Sequence, residues 1–221
     1  EYKSNKQPKT TFKQMTAQGF QTMDGELSPS IPQLLPYQRN TCRTKYHYLD
    51  RNGHSKSAEC RTLFSVDKLL TTFHLCDDAD KNKPIYVTAY VGENIIYDYM
   101  EVKILVSNSY EDWVILRLPE SAPQYMKKIR IPTNNTSFKL YLAAGNNNIY
   151  NLEETIGQYT YGIDYTYNNY VGKLTDKDIM YDLEGEGLCG SLLLTKDGRL
   201  LGMHVAGLEY YDENDKIYRK G

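Results

Sequence analysis

The chain has 221 residues, 40% of them hydrophobic and 24% charged, with a net charge of −2 at pH 7. This is enough for one large or two small domains with a real core, and it excludes a global basic field of the kind that draws proteins to nucleic acid. No apolar run approaches the roughly 18 to 20 residues of a membrane-spanning helix, and the opening Glu1-Tyr2-Lys3-Ser4-Asn5-Lys6 lacks a signal-peptide apolar region.

Residues 1–35 are polar and carry Pro8, Pro29 and Pro32. Thr10 to Phe20 reads as a short helix with Phe12 and Met15 on one side, and the rest as an arm or loop. From 36 to 118 the pattern is strand-like, and the 21 tyrosines, with plentiful Thr, suit strands. Thr41 to Leu49 is the first strand, closed by Asp50-Arg51-Asn52-Gly53, and Asn-Gly between strands signals a hairpin. Arg61 to Val66, Leu69 to Leu75, Ile85 to Val91, Ile95 to Val106 and Trp113 to Leu118 follow at short intervals. Residues 119–135 hold Pro119, Pro123 and Pro132 and read as a linker. Strands return over 136–221, at Phe138 to Ala143, Tyr159 to Tyr167, Leu192 to Thr195 and Leu200 to Leu208. Two groups of short strands with a linker between them predict an all-β chain of two packed antiparallel barrels.

The four cysteines, Cys42, Cys60, Cys76 and Cys189, form no CxxC pair and no zinc-type spacing. They read as free thiols in a reducing compartment, which predicts the cytoplasm. Asn134-Asn135-Thr136 fits a glycosylation sequon but has no secretory signal to go with it.

Chemistry concentrates in Glu186-Gly187-Leu188-Cys189-Gly190-Ser191 and in Gly202-Met203-His204-Val205-Ala206-Gly207. Gly187 and Gly190 let the backbone bend tightly around Cys189 and leave room for a substrate carbonyl. The backbone N–H groups of Gly187 and Cys189 can then converge on one point, as in an oxyanion hole. The competing reading is a plain turn around a buried, inert cysteine.

Together the two segments, G-x-C-G-S and then G-x-H-x-x-G, resemble the picornavirus 3C-like main protease family, viral cysteine proteases with a chymotrypsin-like fold. The resemblance runs from about residue 68 to 207. It implies an active site in the cleft between two barrels, with catalytic residues in the order His, acid, Cys. His74, at the end of the apolar run Leu69 to Phe73, is the expected general base; His47 and His54 lie at the hairpin and read as solvated. Asp112, opening the apolar run Trp113 to Leu118, is the expected acid, with Glu111 beside it and Asp77, Asp78 and Asp80 as less favoured alternatives. Cys189 is then the nucleophile of a thioester mechanism that needs no metal or organic cofactor.

The same resemblance puts His204 at the base of the first specificity pocket, donating a hydrogen bond to a P1 Gln or Glu. Val205, Ala206 and Gly207 would bind an extended substrate backbone. Many relatives have Thr five residues before the nucleophile; here Glu184 stands there, which would disfavour an ionised P1 Glu. Lys127, Lys128 and Arg130 partly match a K-x-R-D-I linker motif through which some relatives bind viral RNA, although Ile131 breaks the match. The expected substrates are a viral polyprotein and host proteins. Two other readings stand beside this one: a cellular serine protease relative, which would want Ser at 189, and a catalytically inactive barrel protein that binds RNA or peptide.

Overall fold

The computed structural model describes residues 26–27, 32–129, 140–145, 148–152, 154–155, 164–167, 169–173, 178–181, 188–211, 213–215 and 217–221. Six strands close into an antiparallel barrel: β2 (Thr41–Leu49), β3 (Ser55–Ser65), β4 (Lys68–Thr71), β5 (Ile85–Val91), β6 (Asn94–Asn108) and β7 (Trp113–Arg117). Their order around the barrel is β2-β3-β4-β7-β6-β5. Strict alternation along β2 sends Tyr46 and Tyr48 inward and Arg43, Lys45 and His47 outward, as a half-buried strand requires. Inside, Tyr46, Phe64, Leu69, Val87, Val114 and Leu116 are fully buried. Their core also holds a polar knot, because Thr62 Oγ1 lies 2.7 Å from Thr44 Oγ1 and 2.8 Å from the Tyr46 hydroxyl. Each hydroxyl thereby has a partner, which offsets the cost of burying it. Gly53, at φ 81, turns the β2–β3 hairpin as the Asn-Gly pair predicts.

The N-terminal segment does more than form an arm. Its β1 (Glu26–Leu27) pairs with β9 (Asn148–Leu152) as the edge of a sheet ordered β1-β9-β8-β14-β15, with β8 (Leu140–Gly145), β14 (Leu192–Thr195) and β15 (Leu200–Met203). Helix α1 (Leu35–Asn40), which strand-pattern reasoning missed, packs with Leu34 and Tyr37 against Leu63 of the barrel and Leu192 and Leu194 of the sheet. The remaining described strands of the second half form two-stranded ribbons. They are β10 (Glu154–Thr155) with β13 (Met180–Tyr181), β11 (Asp164–Tyr167) with β12 (Tyr170–Lys173), and β16 (Leu208–Tyr211) with β17 (Ile217–Lys220). The all-β expectation and its first barrel match the structure. Among the described residues the second half contributes four strands, β8, β9, β14 and β15, to a five-stranded sheet completed by β1, with two-stranded ribbons beside it.

The described start of the linker folds back on the barrel. Asn40 Nδ2 donates to both Phe64 O (2.9 Å) and Lys127 O (2.7 Å), and Ile129 N donates to Ser65 Oγ (3.2 Å). The helix expected over residues 10–20 lies outside the described residues. No helix among the described residues is long and apolar enough to cross a membrane.

Candidate active site

Strand β4 stops at Thr71, sooner than the apolar run suggests, and His74–Cys76 forms a 3-10 turn. The cause is Asp112. Phe73 N still donates to Asp112 O (3.2 Å) in the β4–β7 register, but His74 N turns to Asp112 Oδ1 (2.7 Å) and leaves the sheet ladder. The other carboxylate oxygen, Oδ2, sits 2.6 Å from His74 Nδ1. Both side chains are almost fully buried, His74 at 4% exposed and Asp112 at 1%.

Asp112 reaches this place through an unusual backbone. Asn108 Oδ1 accepts from Tyr110 N (3.0 Å) and Glu111 N (2.9 Å), a tight Asx turn after β6. The turn delivers Asp112 at φ 58, in the left-handed region, just before β7. Glu111 faces outward and takes Asn108 Nδ2 (2.9 Å) and Trp113 Nε1 (3.1 Å) on Oε2. Of the two neighbouring acids, the structure therefore brings Asp112 to His74. Of the other acids weighed, Asp78 accepts from the Tyr48 hydroxyl (2.8 Å) and Asp80 from Asn82 N (2.9 Å). His47 stacks on Tyr99 and His54 pairs with Asp50, both at the barrel exterior.

Cys189 lies in a turn docked onto this barrel. Its carbonyl accepts from Arg61 N of β3 (2.7 Å), and Gly190 N donates to His204 O (2.9 Å). Gly190 stands at φ 90, and a Cβ there would lie 1.9 Å from Arg61 O. The space on the Cβ side of Gly190 is thus filled by barrel backbone. The Cys189 thiol points along the next segment, 3.5 Å from Val205 O. β15 ends at Met203 and β16 begins at Leu208, although one strand over this span was expected; between them His204 N donates to Ser191 O (2.8 Å), and Val205, Ala206 and Gly207 belong to no strand.

His204 is 1% exposed. Its Nδ1 is hydrogen-bonded to the Tyr181 hydroxyl, while its Nε2 has no partner among the described residues. Burial, with the nearby His74 adding to it, lowers the imidazole to about 3, so the ring is neutral. Burial also holds the Tyr181 phenol protonated. A phenol that donates to Nδ1 leaves the ring proton on Nε2, which is then a buried donor.

Sequence reasoning treated the tyrosines only as strand formers and missed this one, and it missed three more. Tyr165, Tyr167 and Tyr170 of the β11–β12 ribbon face His74 with ring centroids at 6.4, 4.8 and 6.0 Å. The signal available in the sequence was their spacing, since Tyr165 and Tyr167 share a strand face and Tyr170 pairs with Tyr167.

The four cysteines are free and buried. Burial pushes the Cys42 and Cys76 thiols up to about 12 and raises Cys60 as well. Lys127 and Lys128 are exposed. Gly187, Glu184 and Arg130, each expected to have a role, lie outside the described residues.

No family model matches the chain, and no curated protein does. Solved structures of distantly similar fold include the Rv3671c protease from M. tuberculosis in its active form, 15% identical, with TM-score 0.45 over 86% of this chain and 78% of that one. Another is Deg5, 10% identical, with TM-score 0.48 over 79% of this chain and 82% of that one. A third is the HtrA-type protease AlgW with a tripeptide, 12% identical, with TM-score 0.46 over 85% of this chain and 57% of that one.

Proposed function

We propose that this chain is a cysteine endopeptidase that cleaves a viral polyprotein after Gln, with Cys189 as nucleophile, His74 as general base and Asp112 as the acid that orients it. The observation that carries this reading is the buried His74–Asp112 pair, held at 2.6 Å on the same barrel that seats the Cys189 turn. An imidazole whose Nδ1–H is fixed on a carboxylate presents a basic Nε2. It takes the thiol proton as Sγ attacks the scissile carbonyl, then returns it to the leaving amine. Water hydrolyses the thioester, with His74 acting as base again. Such positioned proton transfer contributes about 10²- to 10⁴-fold.

The P1 preference follows from His204. A neutral ring with its proton on Nε2 offers a donor without a positive charge. It suits the side-chain carbonyl of Gln and gives an ionised Glu no ion pair; a carboxylate at Glu184 would add repulsion. The viral assignment is supported by the paired motifs around Cys189 and His204. A catalytically inactive peptide- or RNA-binding module is the alternative, and exposed Lys127 and Lys128 would serve its RNA contact.

Cleavage of a peptide library randomised at P1 tests the reading, comparing the wild-type chain with Cys189→Ala. We expect cleavage after Gln, weaker cleavage after Glu, and none by the variant. Cleavage that survives in Cys189→Ala would overturn the nucleophile assignment, and none by either protein would favour the binding module.

A further inference from the structure

We propose that Tyr165 is a positioning residue for the His74–Asp112 pair. Its hydroxyl, donated to Asp112 Oδ2, fixes the carboxylate and limits how strongly that carboxylate stabilises a protonated His74. The proposal rests on the protease reading for its consequence, but its geometry is independent of it.

Tyr165 is buried, and its hydroxyl lies 2.7 Å from Asp112 Oδ2. That oxygen already receives His74 Nδ1 at 2.6 Å, so two donors share it. The phenol remains protonated, because burial and the Asp112 charge both push it well above its ordinary value. The contact is also built for. Tyr165 pairs across the ribbon with Gly172, and its ring occupies the space where a side chain at that glycine would stand. A Cβ at position 172 would sit 2.0 Å from Tyr165 Cζ and 2.5 Å from its hydroxyl oxygen. Tyr170 steadies the same arrangement by donating to Ser109 O at 2.6 Å, in the very turn that delivers Asp112.

The other grip on the carboxylate, from His74 N, comes from the first barrel, whereas Tyr165 reaches it from the second half of the chain. The ribbon therefore clamps an acid that already stands in left-handed backbone. When two donors share one oxygen, each draws on less of its charge. With the phenol removed, the imidazole becomes the sole described donor to Oδ2, and its protonated form gains stabilisation. His74 then holds its proton to higher pH and releases it less readily to a substrate. Tyr167 and Tyr170 on the ribbon, His204 on the nucleophile side, and Asp77 at the end of its own turn also lie near His74. Cys60 and Cys76 are held protonated nearby by burial. All are common to the wild type and the variant, so their difference isolates one hydroxyl.

The test is an NMR pH titration of the His74 imidazole in a Cys189→Ala background, with and without Tyr165→Phe. It is paired with pH profiles of kcat and KM in the Cys189 proteins. In Tyr165→Phe we expect the His74 midpoint and the acid limb of kcat/KM to rise by about 0.5 to 1 pH unit, with kcat down roughly 3- to 30-fold and KM within about 2-fold. Gly172→Ala, which keeps the phenol but drives its ring aside, should reproduce the shift, and combining the two variants should add nothing to it. An unchanged midpoint in Tyr165→Phe, or an effect confined to KM, overturns the proposal. If His74 shifts while neither protein cleaves peptide, the protease reading fails and the positioning contact stands. If both cleave and His74 does not move, only the positioning contact fails.

Discussion

Four thiols of one chemical type face four different surroundings. Cys60 sits against the Thr71 hydroxyl (3.2 Å) in the barrel interior, and Cys42 and Cys76 are pushed up to about 12 by burial. A thiol at about 12 is almost wholly protonated at neutral pH, and only the thiolate reacts. Cys189 instead lies at the junction of the barrel and the His204 segment, within reach of the charge on His74 in the proposed mechanism. Iodoacetamide at pH 7 should therefore label Cys189 at least ~10-fold faster than any other cysteine, and His74→Ala should abolish the difference. Peptide mapping of the labelled protein gives the order directly; equal labelling of all four would sink the activated-nucleophile reading. Nothing in the composition distinguishes these cysteines. The glycines flanking Cys189 do, so this much of the site was legible residue by residue.

At the level of elements, the alternation of β2, the Asn52-Gly53 turn and the apolar runs of β5, β7 and β14 were legible because each strand has one buried face or two. What escaped was set by distant contacts. Beyond β4 the sheet pattern ends at His74, whose N–H is taken by the side chain of Asp112, just before the partner strand β7. Helix α1 forms where six residues leave no periodic signature; Tyr37 secures it by donating to Gly198 O at 2.6 Å, far along the chain. Ribbon β11–β12 shows itself only as spaced tyrosines. The Cys189 turn illustrates how such contacts constrain an element. Gly190 must be glycine both for its φ of 90 and because Arg61 O occupies the place of a side chain. Gly190→Ala forces strand β3 and the turn apart, and we expect a loss of about 2 to 4 kcal/mol in urea unfolding, together with loss of any activity. An alanine variant of unchanged stability would mean that the turn is not seated on the barrel as described.

Across the whole molecule, one buried imidazole couples the proposed specificity pocket to the stability of the fold. His204 bridges the two halves of the site: its backbone pairs with Gly190 and Ser191, and its ring is hydrogen-bonded to Tyr181 of β13. Its pKa falls from 6.5 to about 3 because burial, above all, penalises the charged ring. The unfolded chain therefore binds a proton near pH 6.5 that the folded chain refuses until about pH 3. The associated stability is fully present above pH 6.5 and drains as the pH falls, at about 1.4 kcal/mol per unit within that window. Two carboxylates with lowered values act elsewhere on the scale. Asp50 is held down by the His54 N–H and Asp67 by Arg117, so their contributions are lost only below the ordinary carboxylate range. Between pH 7 and 5 the wild-type chain should lose about 2 kcal/mol in urea unfolding, and His204→Gln should lose much less over the same interval. Parallel pH dependences in the two proteins would place the proton uptake at another residue. A wild-type loss that the substitution removes would show that the neutral ring, which the proposed reading of a P1 Gln requires, is maintained at the expense of acid stability.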